Sequence, residues 1–169
     1  MAKYLIATDG GARGNGDGTG ASAWAFVVYD EGEFRKGSKS EGYPKHHRYT
    51  NNAMESLAIL EALRWADRRP PHTDVTIFTD SNYMVQTINQ WMWGWARSGS
   101  TKKSKGEIQN LETIKQIHAI IAKGERVILV KHVKGHQVGN SFEATSNREA
   151  DALCNVKMDE IEFETEVLK

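Results

Sequence analysis

Two short apolar runs that each lead into an aspartate constrain the fold of this chain more than any other feature. The first run, residues 4–8, precedes Asp9 and a pair of glycines, and the second, residues 75–79, precedes Asp80. Continuous apolar runs of this length, bounded by turn residues, are typical of strands buried on both faces. If the two strands lie parallel and adjacent, both carboxylates emerge at the same edge of one sheet. Open α/β sheets bind their ligands at that edge.

The remaining patterns predict a mixed α/β domain. A glycine-dense turn leads into a buried strand over 23–29 and a more polar strand over 34–42, spaced closely enough for an antiparallel meander. Apolar positions at helical spacing then predict three helices, from Thr50 to about 67, over 82–96 and over 108–123. A further apolar run predicts a strand over 127–133, which is followed by a long loop over 135–147 and a last helix from about Arg148. This order predicts an α/β fold whose five-stranded mixed sheet, with three antiparallel strands plus parallel strands, is flanked by helices.

Length and composition narrow the class of protein. The 169 residues suit one domain, and a net charge of zero means that any basic surface must be local. The single cysteine excludes an intramolecular disulfide framework and a zinc site built from several thiolates. No apolar run approaches the roughly 20 residues of a membrane-spanning helix, and the first residues lack the apolar core of a signal peptide, so we expect a cytoplasmic protein. Residues 159–169 carry five acids and one lysine, which predicts a flexible acidic tail after a domain over 1–158.

Four acids occupy positions where they could act together: Asp9 and Asp80 at strand ends, Glu55 early in its helix, and Asp151 in the last helix. Carboxylates brought together inside a protein repel one another and take up protons unless a cation neutralises them. Oxygen ligands without thiolates favour Mg²⁺ or Mn²⁺, which can assist phosphodiester cleavage. Taken singly, Asp9 and Asp80 are better explained as turn or helix-cap residues, and spacing alone does not assemble the four acids.

Five short motifs supply the missing context. They are Thr-Asp-Gly-Gly at 8–11 with Gly-Asn at 14–15, Thr-Asn-Asn-Ala-Met-Glu at 50–55, Thr-Asp-Ser at 79–81, Lys-Gly-His at 134–136 and Asn-Arg-Glu-Ala-Asp at 147–151. In this order and spacing the chain resembles the type 1 ribonuclease H family over residues 1–158. The resemblance implies a ribonuclease H-like fold.

The resemblance also implies the chemistry. The family consists of endoribonucleases that hydrolyse the RNA strand of RNA·DNA hybrids by two-metal-ion catalysis, giving 5′-phosphate and 3′-hydroxyl ends. Asp9, Glu55, Asp80 and Asp151 match its metal-binding acids, which predicts two Mg²⁺ ions per site, with Mn²⁺ able to substitute. His136 matches a mobile catalytic histidine that assists proton transfer or product departure. The implied partner is the hybrid duplex. The resemblance also implies a monomer that requires no protein partner and does not bind a membrane.

Further residues are expected to bind the hybrid. Small residues beside the acids would let the RNA backbone approach, amides can bond to 2′-hydroxyl and phosphate groups, and a segment of cations and tryptophans could contact the DNA strand. The predicted contacts are Gly10, Gly11, Asn15, Asn51, Asn52, Asn82, Trp91, Trp93, Lys102, Lys103, Lys105 and Asn147. Asn51 and Asn52 are also suitable helix caps. Trp91 and Trp95, four residues apart, are expected to be partly in the core, which leaves Trp93 as the better contact.

Two other functions are consistent with parts of the pattern. A hybrid-binding module without catalysis would keep the amides and the basic segment, but retention of all four acids and His136 argues against it. A DNA-processing relative on the same scaffold, such as a recombinase or resolvase, would keep the acids. The paired asparagines before Glu55 favour recognition of RNA.

Overall fold

The structure is a computed structural model that describes residues 2–99, 102–103, 106–107 and 110–168, with only the backbone at 102–103 and 106–107. Its strands are β1 (Lys3–Ala12), β2 (Ser22–Asp30), β3 (Arg35–Tyr43), β4 (Asp74–Thr79), β5 (Lys102–Lys103), β6 (Gly106–Glu107) and β7 (Ile128–His132). Its α-helices are α1 (Asn51–Asp67), α2 (Asn82–Gln86), α3 (Met92–Ser98), α4 (Leu111–Ala122) and α5 (Phe142–Val167). None of the helices in these described ranges is long and apolar enough to cross a membrane.

The main sheet has five strands in the order β3-β2-β1-β4-β7. β1 pairs antiparallel with β2, and β2 with β3, whereas β4 runs parallel to both β1 and β7. The register aligns Ala7 of β1 with Phe78 of β4, so the chain reaches Asp9 and Asp80 at the same edge. The predicted mixed sheet and the predicted parallel pair are therefore confirmed.

Helices cover both faces of this sheet because the side chains of its central strands alternate. On β2, the large side chains Trp24 and Phe26 belong to the same core as α1. The small side chains that alternate with them, such as Ala23 and Ala25, pack against Cys154 and Met158 of α5. The bulky face fills the space beneath α1, and the alanine face lets α5 approach closely.

Helix α5 is longer than predicted at both ends. It begins at Phe142 because the Ser141 hydroxyl caps it, accepting a hydrogen bond from the Ala144 amide at 3.1 Å. The prediction of a long loop up to about Arg148 is therefore wrong. The helix continues to Val167, so the acidic segment from Asp159 is helical where we expected a flexible tail.

The predicted helix over 82–96 is interrupted. A π-helical turn over Thr87–Trp91 separates α2 from α3. Such a turn inserts an extra residue into the helical repeat and rotates the following side chains relative to the preceding ones. Regular spacing therefore does not give the correct exposure of Trp91, the last residue of this turn, or of Trp93, which follows it.

Candidate active site

Three of the predicted acids meet at the sheet edge. Asp9 comes from β1, Asp80 directly follows β4, and Glu55 projects from the first turns of α1. One carboxylate oxygen from each lies within 4.8 Å of the others. Asp9 and Glu55 are buried, and Asp80 is partly exposed. The two strands and one helix identified from the sequence thus bring these side chains into a single cluster.

Glu55 reaches the cluster because α1 crosses β1 directly above Gly10. The Gly10 amide donates a hydrogen bond to Glu55 Oε1 at 3.1 Å, and the Thr79 hydroxyl donates to Glu55 Oε2 at 3.5 Å. A Cβ atom at Gly10 would lie 2.5 Å from the backbone nitrogen of Glu55. The close approach that Gly10 permits is therefore that of α1. Gly11 lines the cavity in front of the acids, and a Cβ there would meet only Met158, at 3.7 Å.

Asp151 joins the cluster from the opposite face of the sheet, on α5. It lines the same cavity as Asp9, Glu55 and Asp80, and its charge helps to raise the pKa of Asp9. Asn155, one helical turn later, donates from Nδ2 to Asp151 Oδ2 at 3.3 Å and so holds this carboxylate from behind. The structure therefore brings all four predicted acids together.

Burial and mutual repulsion make this cluster electrostatically unfavourable without a cation. Burial, followed by the charges of Asp80 and Asp151, raises the pKa of Asp9 to about 8. Burial and then the charge of Asp9 raise the pKa of Glu55 well above its usual value. Burial also raises the pKa of Asp80, against opposing effects of Asn147 and His136. A cluster of oxygen donors whose charges repel one another fits a hard divalent cation such as Mg²⁺.

His136 and Asn147 both lie beside Asp80. Asn147 is only 4% exposed, and its side-chain amide lowers the pKa of the Asp80 carboxyl. His136 is exposed, adopts a left-handed backbone conformation with φ of 56°, and lines the cavity with the acids. Gly135 was not among the predicted site residues, yet a Cβ there would lie 2.8 Å from Asp80 Oδ2. The Lys-Gly-His motif contained the signal for this glycine.

The acids open into a cavity of about 370 Å³. Its wall also includes Arg13, Asn51 and Met158. Cys154 lies beneath the site, where its thiol donates to the backbone oxygen of Asp9 at 3.3 Å. Burial raises the pKa of this thiol, so it stays protonated and supports β1 from behind.

The predicted asparagines connect the first hairpin to α1. Asn15 Oδ1 accepts from the Asn51 amide at 2.8 Å, and Asn51 Oδ1 accepts from the Ala12 amide at 2.7 Å. The cap of α1 is neither asparagine but Thr50, whose hydroxyl accepts from the Ala53 amide. Asn52 is half-buried, and Asn82 is exposed at the start of α2.

The tryptophans are exposed in the opposite order to the one expected. Trp91 is 38% exposed. Trp93 is half-buried, donates from Nε1 to the Ile88 oxygen at 2.9 Å, and packs against the ring of His118. Of the predicted lysines, Lys105 lies outside the described residues, and only the backbone of Lys102 and Lys103, in β5, is described.

Comparison with known proteins assigns the family. The RNase H family profile matches residues 1–158. The chain is 36% identical over 160 residues to ribonuclease H of Paracidovorax citrulli, covering 94% of this chain and 96% of that protein. It is 32% identical over 137 residues to ribonuclease H of Thermosynechococcus vestitus, covering 80% of each.

Solved structures show the same fold. The crystal structure of LC9-RNase H1, described as a type 1 RNase H with the type 2 active-site motif, aligns with a TM-score of 0.76 at 23% identity, covering 94% of this chain and 73% of that one. LC11-RNase H1, crystallised in complex with an RNA/DNA hybrid, aligns with a TM-score of 0.65 at 24% identity, covering 93% and 97%. With its four acids at one sheet edge and these matches along nearly its whole length, the chain belongs to the ribonuclease H family of enzymes.

Proposed function

We propose that this enzyme hydrolyses the RNA strand of RNA·DNA hybrids with two divalent ions held by Asp9, Glu55, Asp80 and Asp151. The expected products carry 5′-phosphate and 3′-hydroxyl ends. The observation that supports this most directly is the group formed by Asp9, Glu55 and Asp80, whose carboxylate oxygens lie within 4.8 Å of one another. Such a group is stable with all charges present only when a cation is bound.

The donor set indicates which ions fit. Every candidate ligand is a carboxylate oxygen, which suits Mg²⁺, and Mn²⁺ as a substitute. When bound, two such ions supply an activated water and stabilise the charge on the leaving oxygen. Asp9 interacts with Glu55, Asp80 and Asp151, so it would be the central residue among those that hold the ions.

His136 is proposed to handle protons at the rim of the cavity. Its imidazole is exposed to solvent and lowers the pKa of Asp80 by its charge. An imidazole in this position can take a proton from solvent and deliver it near the leaving group, or help the product to depart. Gly135 supports this role because its lack of a side chain lets the loop lie against Asp80.

We keep the substrate contacts predicted from the sequence except Gly10, which lies against the backbone of α1, and Trp93, which packs against His118. The internal bonds of Asn15 and Asn51 fix their amides beside the cavity, and we assign them, with Asn52, to 2′-hydroxyl and phosphate groups. Trp91 replaces Trp93 as the favoured aromatic contact because it is the more exposed. Gly11, Asn82 and the three lysines complete the proposed surface, and buried Asn147 is assigned instead to holding Asp80. The proposal includes a monomer and a cytoplasmic location; the single cysteine is consistent with the reducing cytoplasm.

The test is cleavage of an end-labelled RNA·DNA hybrid. With Mg²⁺ or Mn²⁺ we expect cuts in the RNA strand only, ends with 5′-phosphate and 3′-hydroxyl groups, and no cleavage in excess chelator. Asp80→Asn should abolish cleavage while largely keeping hybrid binding. Asp67→Asn is the matched control, because Asp67 pairs with Lys123 outside the cavity and should leave the rate unchanged.

Three results would contradict the proposal. Binding of the hybrid without cleavage in either metal would favour a binding module. Faster cleavage of duplex DNA than of the hybrid would favour a DNA-processing enzyme, so duplex DNA and duplex RNA are assayed alongside. Near-normal turnover by Asp80→Asn would remove Asp80 from the metal site.

A further inference from the structure

Arg13 is a cation in the wall of the active-site cavity that the proposed mechanism does not use. It follows β1, and its backbone amide donates to the Ala21 oxygen at 2.9 Å across the first hairpin. Its Nη2 group reaches Asn155 Oδ1 at 3.5 Å, and Asn155 in turn donates to Asp151. The guanidinium is thus one side chain away from a proposed metal ligand, where an approaching phosphate would meet it.

Two acids of α5 form ion pairs with this guanidinium. Arg13 Nη1 lies 2.8 Å from Asp159 Oδ1 and 2.8 Å from Glu162 Oε2. Both acids lie beyond residue 158, where the family match ends. The cation beside the cavity is therefore held by the acidic extension of α5.

The extension is fixed in place by contacts of its own. Glu162 uses its second oxygen, Oε1, to accept from the Ala21 amide at 3.3 Å. Gly42 of β3 leaves room for Lys157 and Ile161, since a Cβ there would lie 2.8 Å from each of their side chains. These contacts keep Glu162 beside Arg13.

The charges of this group oppose the substrate. One guanidinium and two carboxylates sum to a charge of −1, next to four further carboxylates in the cavity. A hybrid phosphate entering here meets net negative charge, although Arg13 alone would attract it. The ion pairs are also exchangeable, because the side chains of Arg13, Asp159 and Glu162 are 34%, 69% and 42% exposed, and exposed pairs are weak.

We propose that the acidic extension of α5 is a built-in competitor of the hybrid. Asp159 and Glu162 occupy Arg13 in the free enzyme, and a backbone phosphate of the hybrid must displace them to gain this contact. The extension thereby weakens hybrid binding. This inference rests on the proposed function, because it concerns the affinity of the same site for its substrate.

The test is equilibrium binding of a dye-labelled RNA·DNA hybrid, followed by fluorescence anisotropy in chelator so that no cleavage occurs. Asp159→Asn/Glu162→Gln removes both charges but keeps hydrogen-bonding side chains. Freed Arg13 then adds one phosphate contact, so we expect affinity to rise about fourfold near 50 mM salt and the slope of log affinity against log salt to steepen by about one. Adding Arg13→Gln to the double variant should cancel this gain in affinity. Made in the wild type, Arg13→Gln should change hybrid affinity less than about twofold.

The matched control is Glu160→Gln/Glu164→Gln. It makes the same change in net charge on the same helix, but neither residue contacts Arg13, and Glu160 pairs with Lys157. Its affinity should stay within about twofold of wild type. Three results would overturn the proposal. They are an equal gain of hybrid affinity in the control, no gain of affinity in Asp159→Asn/Glu162→Gln, and a gain of affinity that persists when Arg13→Gln is added. Failure of the wild type to bind hybrid in chelator while it still cleaves hybrid in Mg²⁺ would overturn the competitor alone, and failure of both would overturn the proposed function as well.

Discussion

Gly10 and Gly11 are adjacent residues with different structural roles. At Gly10 the backbone of α1 occupies the space that a side chain would need, and the Gly10 amide holds Glu55. At Gly11 a methyl group would make only an ordinary contact with Met158. The first glycine therefore determines where Glu55 sits, and the second borders the cavity.

Gly10→Ala should lower both stability and activity. The added methyl group collides with the backbone of α1, which cannot rotate away as a side chain could, so we expect a loss of about 3 kcal/mol in the free energy of unfolding. Displacement of Glu55 should also reduce cleavage more than tenfold. Gly11→Ala is the control, with a change within about 0.5 kcal/mol. Denaturant unfolding of the two variants measures the difference, and equal losses would contradict it.

The raised pKa of Asp9 gives the metal-free protein a definite pH dependence. The ordinary value of 3.8 rises to about 8 on folding, so between these values the folded protein holds a proton that the unfolded chain has released. The folded state then binds more protons than the unfolded state. The free energy of unfolding therefore falls as the pH rises through this window.

Asp9→Asn should remove much of that fall. In chelator, we expect the stability of this variant relative to wild type to increase by about 2 kcal/mol between pH 5 and pH 8. Added Mg²⁺ should reverse the order at pH 8 by stabilising only the wild type. Thermal unfolding at both pH values measures this, with Asp67→Asn as a control that gains nothing. A constant difference between Asp9→Asn and wild type would show that folding does not raise the pKa of Asp9.

At the scale of the element, the π-helical turn between α2 and α3 decides which tryptophan faces outward. Regular helical spacing predicted that Trp91 and Trp95 would both lie partly in the core and that Trp93 would be the better contact. The extra residue in the turn rotates the side chains that follow it about the helix axis. Trp93 then packs on His118 and donates a hydrogen bond to the Ile88 oxygen. A local change in helical repeat leaves no periodic signal, because the residues on either side still follow helical spacing.

Replacing each tryptophan by alanine should separate the two roles. Trp93→Ala removes a half-buried ring and its hydrogen bond, so we expect a loss of about 2 kcal/mol in stability and unchanged affinity per folded molecule. Trp91→Ala should cost less than about 1 kcal/mol in stability but weaken hybrid binding about threefold. Thermal unfolding and anisotropy on both variants test this assignment. The reverse pattern would restore Trp93 as the contact.

At the scale of the whole molecule, the sequence predicted what depends on local pattern and missed what depends on packing between distant segments. Buried runs identified β1 and β4, and motif context located the four acids. The role of Gly10 depends on α1, and that of Gly135 on Asp80. The start of α5 was hidden because its first turns contain polar residues, although Ser141 was a suitable cap. The acidic segment after 158 was expected to be flexible because its attraction to Arg13 spans nearly the whole chain.

The charge distribution of the molecule gives a further prediction. With a net charge of zero, hybrid affinity must come from local cations. Replacing Lys102, Lys103 and Lys105 together by glutamine should weaken binding and reduce the salt slope by about one to three units. The control replaces three lysines that lie away from the acid cluster. Lys3 is at the start of β1, Lys36 is beside Asp30, and Lys123 is beside Asp67. Equal slopes in the two variants would exclude the segment from the binding surface.

The buried position of Cys154 has a practical consequence for spectroscopy. It is the single cysteine of the chain, it is 1% exposed, and its thiol is protonated beneath Asp9. Maleimide dyes require an accessible thiolate, so the native protein should give almost no background labelling. A cysteine introduced at Val138, which is 96% exposed and two residues from His136, would then carry a single fluorophore. Its emission would report movement of the histidine loop during turnover without removal of any native residue of the site.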